Sequence, residues 1–434
     1  MYAELVLLSL AVLVAFLVWG KIERHWIGLC IALFLIASGA LSVPEALNYI
    51  DWDVLGLILG VSIYTVYLEK SGATYIFAHY IVKHIGYSLY ATLFTVSLVA
   101  GMVSVFMENV SVVFLFYPIV FSLSRLLGIE PTIPMIFVAL SSNIAGSATM
   151  IGDPPALITA GAFKLSFTDF IVYRGKPSMF FFTIISMVSA IAISSYIVSK
   201  KTKINNRSSL SEKLDTLENV SIDNVFVIEA TLFLIAKILL LSMRNIIILP
   251  LSFSAAIAVG GLTIVRFVHR DSDSVKKAFR QGFEWKLLLF LATIFILSGA
   301  FEKHGIAKRF GEYIVYRLGK DLFRVTSLII WLCSFFSAVI DNVPITLTMI
   351  PVVKASSTLL NQDPVVLMWA ALIGVTLGGN LTYIGASANA AAVRILEKNN
   401  HNVTFTEFIK ISIIYNSVSI LIAWLLYTII YYAV

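Results

Sequence analysis

The chain repeats itself, and the repeat constrains its fold more than any local pattern. Displaced by 233 positions, the sequence from Trp52 to Pro155 aligns with its own second half without a gap, Trp52 falling on Trp285. Glu69 then meets Glu302, Gly72 meets Gly305, Asn109 meets Asn342 and Pro118 meets Pro351. Gly146 meets Gly379, and Thr149-x-Ile-Gly152 meets Thr382-x-Ile-Gly385. Shared apolar composition would not put Trp, Pro, Asn and Gly at one fixed offset. Such a chain is expected to fold as two like halves. The expected division is an N-terminal repeat over 1–199, a linker over 200–223 and a C-terminal repeat over 224–434.

Composition says what surrounds the halves. Of 434 residues 59% are hydrophobic and 13% charged, and the mean hydropathy is +0.92, the profile of an integral membrane protein. No soluble basic face is present to explain the net charge of +6 by nucleic acid. Cys30 and Cys333 lie far apart in apolar runs and suggest neither a disulfide framework nor a metal site. No His-Glu-x-x-His stretch occurs, and no intramembrane proteolytic motif accompanies the acids, so no catalytic residues are expected. Leu5 to Trp19 reads as a first span and not as a cleavable signal.

Continuous spans of roughly 20 residues are expected at 3–20, 26–43, 52–69, 177–199, 224–242, 246–268, 285–301 and 408–432. Two more apolar runs, 131–165 and 364–398, contain glycines and polar residues, and the first also Asp153-Pro-Pro155. An unbroken membrane helix would not tolerate these, so each is expected as a broken helix lining a polar cavity. The stretches 87–127 and 320–360 are interrupted at Met107-Glu-Asn-Val110 and Ile340-Asp-Asn-Val343. Polar tips without Gly, Lys or Arg suit re-entrant hairpins better than surface turns. Amphipathic pieces at 71–85 and 304–319 are expected on the membrane surface. The fold class is therefore an all-α polytopic membrane protein with two inverted repeats of about five helices, each with a hairpin and a broken helix. Lys and Arg concentrate in one set of alternate loops, including Lys21, Arg24, the 266–286 loop and Arg394. That side is taken as cytoplasmic, with both termini outside.

Glu108 and Asp341 hold equivalent tip positions, each followed by an Asn. Ionisable groups at bilayer depth face cavities or ion paths, and a buried carboxylate can trade a proton for a cation. Around them the first half places Asn109, Ser111, Asn143, Ser147, Thr149 and Asp153. The second half places Asn342, Thr346, Asn380, Thr382, Ser387 and Asn389. Carboxylate, amide and hydroxyl oxygens with freed carbonyls are what Na⁺ requires, with Glu108, Asn109, Asp153, Asp341 and Asn342 as its expected neighbours. Asp153 could equally cap the helix starting at Pro154. Basic groups are scarce in these motifs, which argues against a polyanion such as citrate. Lys354 is the exception, expected to snorkel at a hairpin mouth. Glu229 and Lys237 suggest packing more than an intramembrane pair.

The motifs Met107-Glu-Asn-Val110, Asn143 to Pro155, Asp341-Asn-x-Pro344 and Gly378 to Asn389 resemble those of the ion transporter superfamily, in its ArsB/NhaD branch. They are also similar to those of P-protein permeases. Ala156, where many relatives carry Asn, is a departure that removes a ligand from the first half. The resemblance implies a scaffold domain with homodimer contacts, a transport domain of hairpins and broken helices, and elevator-like movement in a plasma membrane. It puts proton-coupled efflux of arsenite or antimonite first among cargoes, with a soluble ATPase partner possible for a pump of that kind. Na⁺/H⁺ antiport and a small-anion channel or cation-coupled anion carrier are the alternatives. No cofactor is expected beyond H⁺ or Na⁺ as coupling ion.

Overall fold

A computed structural model describes residues 2–19, 22–72, 88–201, 223–243 and 249–432. The expected amphipathic piece at 71–85 lies almost wholly outside these residues, as does most of the 200–223 linker. The described chain is helical apart from one small hairpin of strands, Val172–Tyr173 with Lys176–Pro177.

In the first half α1 (Tyr2–Trp19), α2 (Arg24–Ala37), a short α3 (Val43–Tyr49) and α4 (Trp52–Ser71) come first. The first hairpin follows as α5 (Leu89–Ser104) and α6 (Asn109–Leu127), and the broken helix as α7 (Thr132–Gly146) and α8 (Pro154–Phe163). The long α9 (Met179–Lys201) closes the half. The second half runs α10 (Asn224–Ser242), α11 (Leu251–Val268), α12 (Ser272–Gly282), α13 (Trp285–Lys303) and α14 (Ile306–Leu318). Its hairpin is α15 (Leu322–Ser337) with α16 (Asn342–Leu360), and its broken helix α17 (Pro364–Gly378) with α18 (Ser387–Lys398), before α19 (Phe405–Tyr432).

Among the described residues six helices are long and apolar enough to cross a membrane, or seven if the pair Val43–Tyr49 and Trp52–Leu68, bent by 52°, counts as one. The expected spans at 3–20, 26–43 and 246–268 appear as shorter apolar helices, Tyr2–Phe16, Arg24–Ala37 and Ser252–Val268. The surface piece expected at 304–319 is α14, bounded by Gly305 at φ 69° and Gly319 at φ 70°. Both bends need the left-handed region that a side chain disfavours.

One expectation is corrected. The 266–286 stretch is not a loop: α11 runs through Arg266, and α12 packs Val275 and Ala278 inward against α4. Arg266 has a side chain only 2% exposed, because Glu229, Asp223 and Asp271 surround its guanidinium. Glu229 therefore pairs with Arg266 and His269, while Lys237 lies over the Tyr64 ring at 4.7 Å.

The duplication governs packing as well as sequence. In the first half α7 lies against both hairpin arms, α5 and α6; in the second, α17 lies against α15 and α16. Ser104 donates to the Ser142 carbonyl at 2.8 Å, and its counterpart Ser337 donates to that of Val375 at 2.6 Å. Across the halves α8 packs on α16 and α18 on α6, so each broken helix leans on the other half's hairpin. This reciprocity brings both tips and both breaks to the middle of the molecule.

Candidate functional site

Each hairpin tip is pinned under its own helix break. Thr149 donates to the Val105 carbonyl at 2.6 Å and Thr382 to that of Ala338 at 2.5 Å. The backbones touch: a Cβ on Gly152 would stand 2.1 Å from the Ser104 oxygen, and one on Gly385 2.3 Å from that of Ser337. Only glycine allows that approach, which is why Thr-x-Ile-Gly recurs in both halves.

Behind the tips a buried polar frame joins the halves. Asn143 donates to Asn380 Oδ1 and to the Thr376 carbonyl, both at 2.9 Å, and Asn380 returns a bond to the Leu140 carbonyl at 3.0 Å. Ser147 meets Thr376 at 3.2 Å. Asn143 and Thr376 are equivalent positions, as are Ser147 and Asn380, so the two contacts are one contact repeated about a pseudo-twofold axis. Asn389 donates to the Gly379 and Thr382 carbonyls and to Asn380 Oδ1. Ser147, Thr149, Asn380, Thr382 and Asn389 thus lie in the frame, tied by hydrogen bonds. Thr346, also buried, donates to the Asn342 carbonyl.

In front of the frame opens a cavity of about 940 Å³, reached by Glu108, Asn109, Asn143, Asp153, Asp341, Asn342 and Ser387. Seven of the fourteen candidate residues therefore meet at one space. Glu108 accepts from Ser111 N and Oγ, both at 3.1 Å, which fixes its carboxylate at the start of α6. Asp341 caps α16 through Val343 N at 3.2 Å.

The two breaks share a backbone and differ in chemistry. Asp153, before α8, sits at φ −145° and ψ 135°; Ala386, before α18, sits at −143° and 139°. The Asp153 side chain makes no cap hydrogen bond, so capping does not explain it. Its Oδ2 is buried without a partner, as is Oδ1 of neighbouring Asn109. Pro154 and Pro155 remove two backbone donors from the first turn of α8. The first end is thus rich in oxygen and poor in N–H. At α18 Ser387 and Ala388 keep their N–H groups, among the four that a helix start leaves free, and Ser387 adds a hydroxyl. That end presents donors.

Several lining residues escaped the sequence reading because they come from outside the repeat motifs. Arg24, counted there as a loop charge, donates to Asp341 Oδ2 at 2.7 Å and to Ser387 Oγ at 3.4 Å. Glu23, Glu284, Lys286, Arg394 and Glu397 also line the space. The scarcity of basic groups in the motifs therefore does not hold for the cavity. Even so, six carboxylates face three permanent cations among the described lining residues, so the cavity attracts cations before anions. One signal was available: Glu284-Trp285 falls on Asp51-Trp52 in the repeat. Lys354 lies outside the cavity, 5.6 Å from the Phe163 ring.

A duplicated helical membrane fold with opposed hairpins and helix breaks, enclosing a polar cavity lined by buried acids, is the plan of a secondary transporter. The family model described as CitMHS, citrate transporter, matches residues 14–374. The chain belongs to that family and hence to the ion transporter superfamily; it is a multi-pass membrane transporter and not an enzyme. A transporter of Mycobacterium tuberculosis strain H37Rv, named as uncharacterized, is 28% identical over 384 residues, covering 87% of both chains. Mouse P protein is 25% identical, covering 88% of this chain and 54% of its own length. Among solved structures, the Alcanivorax borkumensis YdaH transporter aligns with a TM-score of 0.53, covering 92% of this chain and 88% of its own. Neisseria gonorrhoeae MtrF, presented as illuminating a class of antimetabolite efflux pumps, aligns at 0.58 over 92% and 84%. At 15% identity each of these two shares the fold alone.

Proposed function

We propose that the protein couples H⁺ or Na⁺ to the movement of a small oxygen-rich solute, an oxyacid or carboxylate. The observation that carries this is the chemical difference between two breaks of equal backbone conformation. Asp153 Oδ2 and Asn109 Oδ1, buried and unpartnered, support a coupling cation at the first. Free amides, the Ser387 hydroxyl and Arg24 support the solute's oxygens at the second. Arsenite and antimonite, as in the ArsB/NhaD type, remain candidate cargoes, because a neutral oxyacid needs donors but little positive charge. Citrate, suggested by the family's description, is another. The excess of lining carboxylates favours a second reading, plain Na⁺/H⁺ antiport.

Arg24, Lys286 and Arg394 all belong to the set of segments read as cytoplasmic, and all three line the cavity. The state described is thus read as open to the cytoplasm, in a plasma membrane. Elevator-like movement and a homodimer accompany this proposal on the strength of the resemblance.

The test is transport in proteoliposomes holding a pH dye, with NaCl, LiCl, KCl, arsenite and citrate added separately and Asp153→Asn as control. A saturable solute response that needs H⁺ or Na⁺ and is lost in the variant is expected. Cation exchange without any solute response would replace the proposal by antiport. Silence towards every addition would reject both.

A further inference from the structure

The cavity has two walls of different origin. Glu23, Arg24 and His25 belong to the start of α2, and Glu284 to Phe290 to the start of α13; these two helices pack along each other. Opposite them stand the hairpin tips and helix breaks. Arg24 reaches across, from one wall to Asp341 on the tip of the second hairpin and Ser387 on the second break. Lys286, by contrast, is tied within its own wall, to Glu23 at 2.7 Å. Asp341 is aimed by its own helix start, with Oδ1 on Val343 N, while Oδ2 accepts from Arg24 and, at 3.3 Å, from the Ser387 hydroxyl.

Exposure sets how firmly this tie can hold. The Arg24 side chain is 46% exposed and that of Asp341 15%. A pair this open is screened and weak, so a ligand that captures either partner can undo it. A fully buried pair could not serve, because breaking it would strand an uncompensated charge.

We propose that Arg24 is a latch that couples loading to movement. It holds the two walls together through Asp341 while the cavity is empty. A solute oxygen at Ser387 takes the guanidinium, and a cation or proton takes the Asp341 carboxylate. Either ligand alone leaves one partner without its counter-charge, Arg24 held by water and Asp341 by Val343 N and Ser387 Oγ; both together restore both, and the walls are then free to part. The inference rests on the cation-coupled reading above and adds the residue that makes its coupling strict.

The experiment compares solute-independent cation leak with coupled flux in proteoliposomes for wild type, Arg24→Gln, Arg24→Lys, the single variants Arg24→Asp and Asp341→Arg, and the exchange that combines these two. Arg24→Gln should raise the leak about three- to fivefold, the most that a pair this open can hold back. Arg24→Lys, which keeps the charge, should hold the leak well below that of Arg24→Gln. The exchanged pair should restore a low leak while solute transport stays lost. A leak in Arg24→Gln equal to wild type would overturn the latch. So would an exchanged pair that leaks as much as its single variants, a comparison that stands even if Arg24→Gln fails to fold. Wild-type silence towards all solutes and cations would instead reject the functional reading beneath it.

Discussion

The starts of α8 and α18 are the same backbone written in two chemistries. Their preceding residues differ by only a few degrees in φ and ψ, and each helix leans on the other half's hairpin. One carries Asp153-Pro-Pro; the other carries Ala386-Ser-Ala. Duplication supplied two equal helix ends, and substitution made one an acceptor and the other a donor. The comparison teaches that architectural symmetry does not imply two equal sites. A transporter that must bind a cation and an oxygen-rich solute together can place one at each end.

The comparison breaks most sharply at Asp153. Asp153→Asn keeps the shape but removes the charge, and is expected to lower ion-coupled flux by about 100-fold, towards the upper end of common coupling energies. The assay is initial-rate transport against ion concentration on protein shown to be folded. Near-normal rates would put the cation elsewhere. Glu108→Gln and Asp341→Asn, measured alongside, would then show which tip carries it.

A smaller effect is expected from making the second end resemble the first. Ala386→Asp places a carboxylate beside Asp341 and Ser387, where it competes for Arg24 and repels an anionic solute. The solute KM should rise about tenfold, the equivalent of ~1.4 kcal/mol, with the KM for the coupling ion little changed. Equal changes in both constants would mean that the ends do not divide the labour.

The frame behind the ends should respond in stability. Asn143→Ala removes the side-chain donor to the Thr376 carbonyl and the acceptor of Asn109, leaves Asn380 Oδ1 only its bond from Asn389, and should cost about 1–3 kcal/mol, read as a lower melting temperature in detergent. Because Asn143 and Asn380 bond each other, the double variant with Asn380→Ala should cost less than the sum of the two. Full additivity would separate them.

The smallest effect lies outside both ends. Lys303 and the Ser42 backbone and hydroxyl hold the Glu45 carboxyl down at about 2 from an ordinary 4.5. A folded pKa below the unfolded one contributes stability above the ordinary value, and that stability disappears as pH falls from 4.5 through about 2. Glu45→Gln should flatten this acid limb of the melting profile and leave transport untouched. An unchanged limb would show that so exposed a tie contributes nothing.

Much of this was legible because the repeat is written in residues with few substitutes. Gly152 and Gly385 admit no Cβ, and Thr149 and Thr382 each satisfy a tip carbonyl. Such residues persist through duplication because the geometry permits little else. The division of the candidates was not legible. Asn380, Asn389 and Asn109 look alike in sequence, and all three bond within the frame, yet of the three only Asn109 also lines the cavity. Whether a polar group supports or binds depends on which neighbours satisfy it, and those neighbours are far along the chain.

What the sequence alone determined about this protein is its two-fold plan: membrane residence from its apolar content, hairpins from polar tips, breaks from Gly and Pro. These are consequences of backbone satisfaction in lipid, a local constraint that each segment meets or fails by itself. Only the tertiary structure decided that Arg24 joins the acids, that α12 replaces a loop and that two equal helix ends face one cavity with opposite chemistry. Those outcomes depend on distance in space, and a guanidinium 317 residues from its carboxylate leaves no pattern along the chain to read.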